Sequence, residues 1–166
     1  MRPDSPEFYW HNIGNDNNRR DAWQHCLESH GRDAWWSYLV SHGQVSASYD
    51  NQPGGRGEKL LRGYRAGDAI IAYASKCGVI GWGIVEEPEY EYVPENHDEF
   101  SETGFHRHRL RGIKWQSCSS TLKDAIPVKE LNEIFGLKHP IQTKSRISAD
   151  KAEALILEIT RRFGAG

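Results

Sequence analysis

Hydrophobic positions along this chain switch between a period of two and a period near 3.6, and the switches divide it into strands and helices. Residues 67–73 and 79–88 are two β-branched runs either side of the polar turn Lys76-Cys77-Gly78, the pattern of a hairpin. Gly81 and Gly83 strip side-chain packing from the second run, so that strand bends there or lets something approach its backbone closely. Trp82 lies between them as a flat surface on which a base could rest. Residues 7–13 read as an opening strand, ended by the turn cluster Gly14-Asn15-Asp16-Asn17. From Phe105 to Trp115 the chain alternates: His106, His108 and Leu110 point one way, and Arg107, Arg109 and Arg111 the other. Residues 44–50 alternate more loosely and read as a short strand.

Apolar residues three and four apart predict helices. Ala22, Trp23, Cys26, Leu27 and His30 make one stripe, capped by Asn18 and closed by Gly31. Asp33 starts a shorter helix with Trp35, Trp36, Leu39 and Val40, and Gly43 follows its end. Neighbouring positions on a helix face different ways, so at most one of Trp35 and Trp36 is expected to be fully buried. Pro127 opens a third helix with Val128, Leu131, Ile134 and Phe135, ended by Gly136. Ser148 caps the clearest one, striped by Ala152, Leu155, Ile156, Ile159 and Phe163, with Arg161 and Arg162 in its last turn and Gly164 beyond. Residues 51–57 read as a flexible glycine-rich surface loop, without the Gly-Lys-Ser/Thr ending of a phosphate cradle. Residues 138–146 read as a basic connection. Strands gather mid-chain and helices lie near both ends, so the fold class is α+β. The 166 residues suffice for one domain with a continuous core, residues 1–6 forming a flexible tail.

Charge changes the picture. The net charge of −2 argues against a generic polyanion binder. It is unevenly spread: residues 86–102 hold eight acidic side chains and no Lys or Arg, leaving the rest with a positive surplus. That run is either a solvated loop or a barrier that keeps nucleic acid off one side. Cys26, Cys77 and Cys118 are far apart and form no Cys-x-x-Cys pair, which fits a reducing compartment. With no signal-like start and no long apolar run, a cytoplasmic protein without a membrane segment is expected.

Several patches resemble the EVE domain, a member of the PUA-like superfamily related to the YTH readers of methylated adenine. They are Tyr9-Trp10, the Arg65-Ala66-Gly67-Asp68 entry to a hydrophobic strand, the Gly81-Trp82-Gly83-Ile84-Val85 return, and the segment from His139-Pro140 to Ser145-Arg146-Ile147-Ser148 before the last helix. The sequence departs from that family between the first strand and the nearest match to its next motif, Ser46-Ala47-Ser48-Tyr49-Asp50-Asn51, where the expected arginine is missing. The resemblance implies a PUA-like small β-barrel of five or six strands flanked by helices. It also implies a pocket for a modified cytosine or adenine of DNA or RNA, no cofactor and, in relatives, an associated nuclease. Extruding a base costs roughly a few kcal/mol, stacking on an aromatic returns about 1–3 kcal/mol, and a buried methyl adds about 0.8 kcal/mol. Two aromatic walls are therefore needed before the methyl group decides anything.

On this reading Tyr49 and Trp82 are the first candidates for the walls, and Tyr90 and Tyr92 supply a second wall or a lid. Ser46, Ser48, Asp50 and Asn51 are candidates for reading base edges, Asp50 suiting a cytosine amino group and Asn51 an adenine edge. Arg56, Lys59, Arg62, Lys144 and Arg146 join Arg107, Arg109 and Arg111 as candidates for phosphate contact, with Arg146 alternatively bracing the last helix. Two other classes compete. His106 and His108 on one strand face could share a metal, but no third ligand appears at a recognisable spacing. Cys77 beside Lys76 could form a nucleophile pair, as in a PUA-like hydrolase of the ASCH type acting on modified nucleosides. A protein-interaction module built on exposed aromatics and the acidic run is the third reading.

Overall fold

A computed structural model of the chain describes residues 6–14, 32–47, 52–74, 77–94, 97, 107–138 and 143–164. The helix expected over residues 18–30, the candidates Ser48, Tyr49, Asp50 and Asn51, and Lys76 and His106 lie outside the described residues. In chain order the elements are β1 (Phe8–Gly14), α1 (Arg32–His42), β2 (Gln44–Ala47), α2 (Arg56–Arg62), β3 (Ala69–Ala74), β4 (Gly78–Tyr92) and β5 (His108–Cys118). A 3-10 turn (Leu122–Asp124), α3 (Val128–Phe135), β6 (Lys144–Ile147) and α4 (Ala149–Phe163) complete them.

Six strands form one mixed sheet in the order β2-β5-β4-β3-β1-β6. β3 is buried at every position, as suits a central strand covered on both faces. It pairs in parallel with β1, Tyr9 opposite Ile70 and Trp10 opposite Ile71, and antiparallel with β4. Alternation along β3 sends Ile71 and Tyr73 to the side covered by α3 and α4, where Leu131, Leu155 and Ile159 meet them. Ile70 faces the concave side, with Val45, Leu61, Val85 and Leu110. Ala72 and Ala74 share that side with Trp35, Trp36 and Leu39 of α1.

The sheet curls into a small barrel-like shape but is not closed by a ladder. β1 and β2 are not hydrogen-bonded neighbours in the strand order. The fully buried His11 spans the gap, its Nε2 lying 2.6 Å from the carbonyl oxygen of Ser46 and its Nδ1 2.8 Å from the Tyr64 hydroxyl.

Four expectations change. First, the glycine-rich stretch does not remain a loop throughout, because α2 begins at Arg56. Burial of Leu61 outweighs the helix cost of Gly57. Glu58 also accepts from Gly54 N–H at 3.1 Å and from Arg62 Nε at 2.9 Å, tying the first turn down. Second, β4 runs on to Tyr92, so the first part of the acidic run is strand, with Glu86, Glu87 and Glu89 facing solvent. Third, the end of the basic connection is β6, antiparallel to β1. Fourth, Trp35 and Trp36 are both buried, because α1 is enclosed on two sides. Trp35 Nε1 donates to the Ile13 carbonyl at 3.0 Å and Trp36 Nε1 to the Ser119 carbonyl at 2.8 Å.

The expected helix ends are otherwise well marked. Gly136 ends α3 in the left-handed region, at φ 63° and ψ 30°. Ser148 stands at the N-cap of α4 with extended backbone, although its hydroxyl makes no capping hydrogen bond. The close approach expected at Gly81 and Gly83 comes from β5: a Cβ on Gly81 would lie 2.8 Å from Ser117 O, and one on Gly83 2.9 Å from the Trp115 ring.

Candidate nucleic-acid interface

The far end of β4 pairs with the start of β5, Tyr90 opposite Leu110 and Tyr92 opposite His108. The end of β2 meets β5 at the same level, Ala47 opposite His108. Residues directly opposite one another share a sheet face, so two tyrosines and one histidine gather there. The Tyr90 hydroxyl lies 2.6 Å from His108 Nδ1, and the Tyr92 and His108 rings are 5.1 Å apart between centroids. A guanidinium covers each tyrosine: Arg62 sits 4.5 Å from the centre of the Tyr90 ring and Arg107 4.6 Å from that of Tyr92. Arg107 is steadied by its Nε donating to the Val93 carbonyl at 3.0 Å.

Beside this cluster lies a cleft of about 130 Å³, lined by Leu61, Arg62, Tyr64, Pro88, Tyr90 and Leu110. That is a little less than the roughly 150 Å³ that encloses a benzene ring, so the cleft takes one edge of a planar ring rather than enclosing it. Burial, followed by the neighbouring Glu58 carboxylate, pushes the Tyr90 phenol up to about 12, so it keeps its proton at neutral pH. The arrangement offers aromatic faces, a neutral hydroxyl and two cations within one patch. Those are the elements that stack a base and hold a phosphate.

The remaining candidates separate by position. Trp82 pairs with Ile71 and Ser117, which puts it on the side covered by α3 and α4, across the sheet from the cleft. It is half-buried there, and its Nε1–H is enclosed without a hydrogen-bond partner among the described residues. Ser46 is fully buried in β2. The row of three arginines expected on one sheet face, for phosphate contact or as a salt-bridged face near the acidic run, is broken, because Arg109 is fully buried. Its guanidinium lies 5.3 Å from the ring centres of Trp35 and Tyr38, and its Nη1 donates to the Tyr38 hydroxyl at 3.1 Å. Packing of α1 over the β2–β5 ribbon is the physical reason. Arg111 is exposed but bridges Glu89 at 3.0 Å and Glu91 at 3.4 Å. Lys144 turns inward, donating to the Leu60 carbonyl at 3.1 Å and lying 3.9 Å from the centre of the Tyr64 ring. That places its ammonium over the last turn of α2, where the helix dipole favours a cation. Arg146 pairs with Glu7 at 3.2 Å, and Arg56 and Lys59 are exposed on α2.

Tyr64, which forms one side of the cleft, is not among the sequence candidates, and no local pattern marks it. Cys77 and Cys118 are free and half-buried, and burial pushes the Cys118 thiol up to about 12, away from the thiolate a nucleophile needs. Among the described residues no three or more His, Cys, Asp or Glu side chains are grouped to hold a metal. No described helix is long and apolar enough to cross a membrane.

No known family and no curated protein matches the sequence. Solved structures do match the fold. The YTH domain of the Zygosaccharomyces rouxii MRB1 protein, in complex with N6-methyladenosine RNA, superposes with a TM-score of 0.55 at 10% identity, over 96% of this chain and 90% of that one. The Toxoplasma CPSF4 YTH domain, in complex with a 7-mer m6A-modified RNA, gives 0.55 at 12% identity, over 95% and 93%. A hypothetical protein from Leishmania major gives 0.52 at 12% identity, over 96% and 98%. This chain has a YTH-like α+β fold. At such identities the likeness is one of architecture, and the YTH-like frame is what carries the arginine-covered tyrosines described above.

Proposed function

We propose that this protein is a non-catalytic reader of a modified base, an EVE-type relative of the YTH domains, that takes one extruded nucleobase of DNA or RNA beside Tyr90 and Tyr92. Arg62 and Arg107 serve the flanking phosphates. The observation that carries this reading is the small cleft bounded by Tyr64 and Tyr90, next to two tyrosines each faced by a guanidinium. The fold shared with YTH domains solved with m6A-modified RNA supports it.

The test is a panel of RNA and DNA oligonucleotides that differ only in one modified cytosine or adenine. One modified member should bind about fourfold or more tighter than its unmodified twin, the effect of a buried methyl group worth about 0.8 kcal/mol. Tyr90→Ala should weaken that binding by about 1–3 kcal/mol, the value of one stacked base. Equal affinity across the panel would remove the reading. Consumption of a modified nucleoside, stopped by Cys77→Ser, would replace it with a hydrolase.

Salt titration separates the two arginines from the rings. Arg62→Ala and Arg107→Ala should each flatten the dependence of log affinity on log salt by about 0.7–0.9, one phosphate contact apiece. An unchanged slope in both variants would assign these guanidiniums to packing on Tyr90 and Tyr92.

A further inference from the structure

The Tyr64 and Tyr90 hydroxyls are each bonded to a fully buried histidine on a different strand, Tyr90 to His108 at 2.6 Å and Tyr64 to His11 at 2.8 Å. His108 belongs to the β4–β5 ribbon that carries Tyr90. His11 does not belong to the cleft at all: it lies on β1, beyond β3 and β4 in the strand order.

Burial keeps the His11 imidazole neutral at neutral pH, so one ring nitrogen carries a proton and its partners decide which. The Ser46 carbonyl can only accept, so Nε2, at 2.6 Å, carries the proton and donates. Nδ1 is then the acceptor, and the Tyr64 hydroxyl donates to it at 2.8 Å. A single neutral imidazole thereby joins three pieces of chain: β1, the edge strand β2, and the segment after α2 that carries Tyr64. The Tyr64 ring is held from two further directions. Tyr9 meets it edge-on at 5.2 Å and 84°, and the Lys144 ammonium sits 3.9 Å from its centre. Tilting Tyr64 to widen or narrow the cleft breaks the bond to His11.

We propose that His11 is a positioning residue for base recognition, acting through Tyr64 and tying the width of the cleft to the closure of the barrel. The proposal rests on the reader function above. A well-packed aliphatic side chain would close the barrel without the desolvation cost of an imidazole. What the imidazole adds is direction: it fixes where the Tyr64 hydroxyl points and which way its proton faces. β2 in turn meets β5 at Ala47 opposite His108, so the bridge at Ser46 reaches the Tyr90 side of the cleft through one strand pairing.

The experiment uses the full chain carrying His11→Leu, His11→Gln or Tyr64→Phe, with the oligonucleotide pair that wild type distinguishes best. The readout is the ratio of modified to unmodified affinity, taken at a temperature where circular dichroism shows each variant fully folded. His11→Leu and Tyr64→Phe should bring the ratio to near one. His11→Gln, whose amide can donate to Ser46 and accept from Tyr64, should restore at least half of the wild-type ratio. If folded His11→Leu keeps the wild-type ratio, His11 is a structural residue only and the reader function stands without it. If His11→Leu does not fold, Tyr64→Phe decides, since it removes only the hydroxyl and keeps the ring. If wild type itself shows no preference across the panel, the reader function fails and this proposal fails with it.

Discussion

Gly112→Ala is expected to destabilise the protein by about 4 kcal/mol, the sum of a strained backbone and a steric overlap that neither side can relieve. Gly112 has φ 90°, a region an L side chain rarely adopts. A Cβ there would fall 1.9 Å from the Glu87 carbonyl oxygen and 2.5 Å from its carbon. Both are backbone atoms, so no rotamer change makes room. The overlap occurs where the β4–β5 register shifts between Val85 and Glu89, and beyond that shift Tyr90 meets Leu110 and Tyr92 meets His108. Denaturant unfolding should therefore show a large fall in the midpoint, and whatever remains folded should lose its preference for a modified base. Gly54→Ala is the control: φ is 78° there too, but nothing lies within 4 Å of the added carbon. It should cost about 1 kcal/mol and leave binding unchanged. A Gly112→Ala midpoint no lower than that of Gly54→Ala would mean that the bulge is not what phases the two tyrosines.

The sequence announced those parts of the fold whose hydrophobic period is set locally. The buried run over Ala69–Ala74 and the stripe of Ala149–Phe163 are legible because each element needs only one pattern to find its place. α2 was not legible, since it is seven residues long, follows Pro53-Gly54-Gly55 and carries Gly57 in its first turn, and what holds it is the burial of Leu61 against the distant Leu110 and Val85. Arg109 shows the same limit in reverse. Its position in an alternating strand suggests an exposed cation, yet α1 covers it and supplies two aromatic faces. Tyr90, Tyr92, Arg62 and Arg107 were each candidates by residue type, but only the β4–β5 register and the end of α2 place them side by side. Tyr64 escaped notice because its role depends on His11, 53 residues away in sequence and joined to it by a single hydrogen bond.

The burial of His11 makes stability depend on pH in a defined window. Burial, partly offset by the bond to Ser46 and reinforced by the Lys144 charge, lowers the His11 pKa from 6.5 to about 4. The unfolded chain therefore binds a proton that the folded chain refuses between those two values. Stability contributed by the neutral imidazole is fully present above pH 6.5 and falls as pH drops towards 4, by roughly 3 kcal/mol over the window. The charged and titratable groups facing His11 are Lys144 from β6, Tyr64 after α2 and Tyr9 on β1. Burial raises the Tyr64 phenol well above its ordinary value, so it keeps its proton throughout this window. Glu158, held down to about 2 by hydrogen bonds from Arg161 and Arg162, loses its contribution only below its ordinary value of 4.5. The upper part of the window is thus left to histidine. Subtracting the unfolding free energy of His11→Gln from that of wild type at each pH isolates His11 from the buried His108. The difference should shrink steadily as pH falls below 6.5, because the amide of the His11→Gln variant does not titrate in this range. A difference that stays flat would show that the imidazole reaches solvent or is already charged, and the bridge between β1 and β2 would then have to be made by something other than a neutral ring.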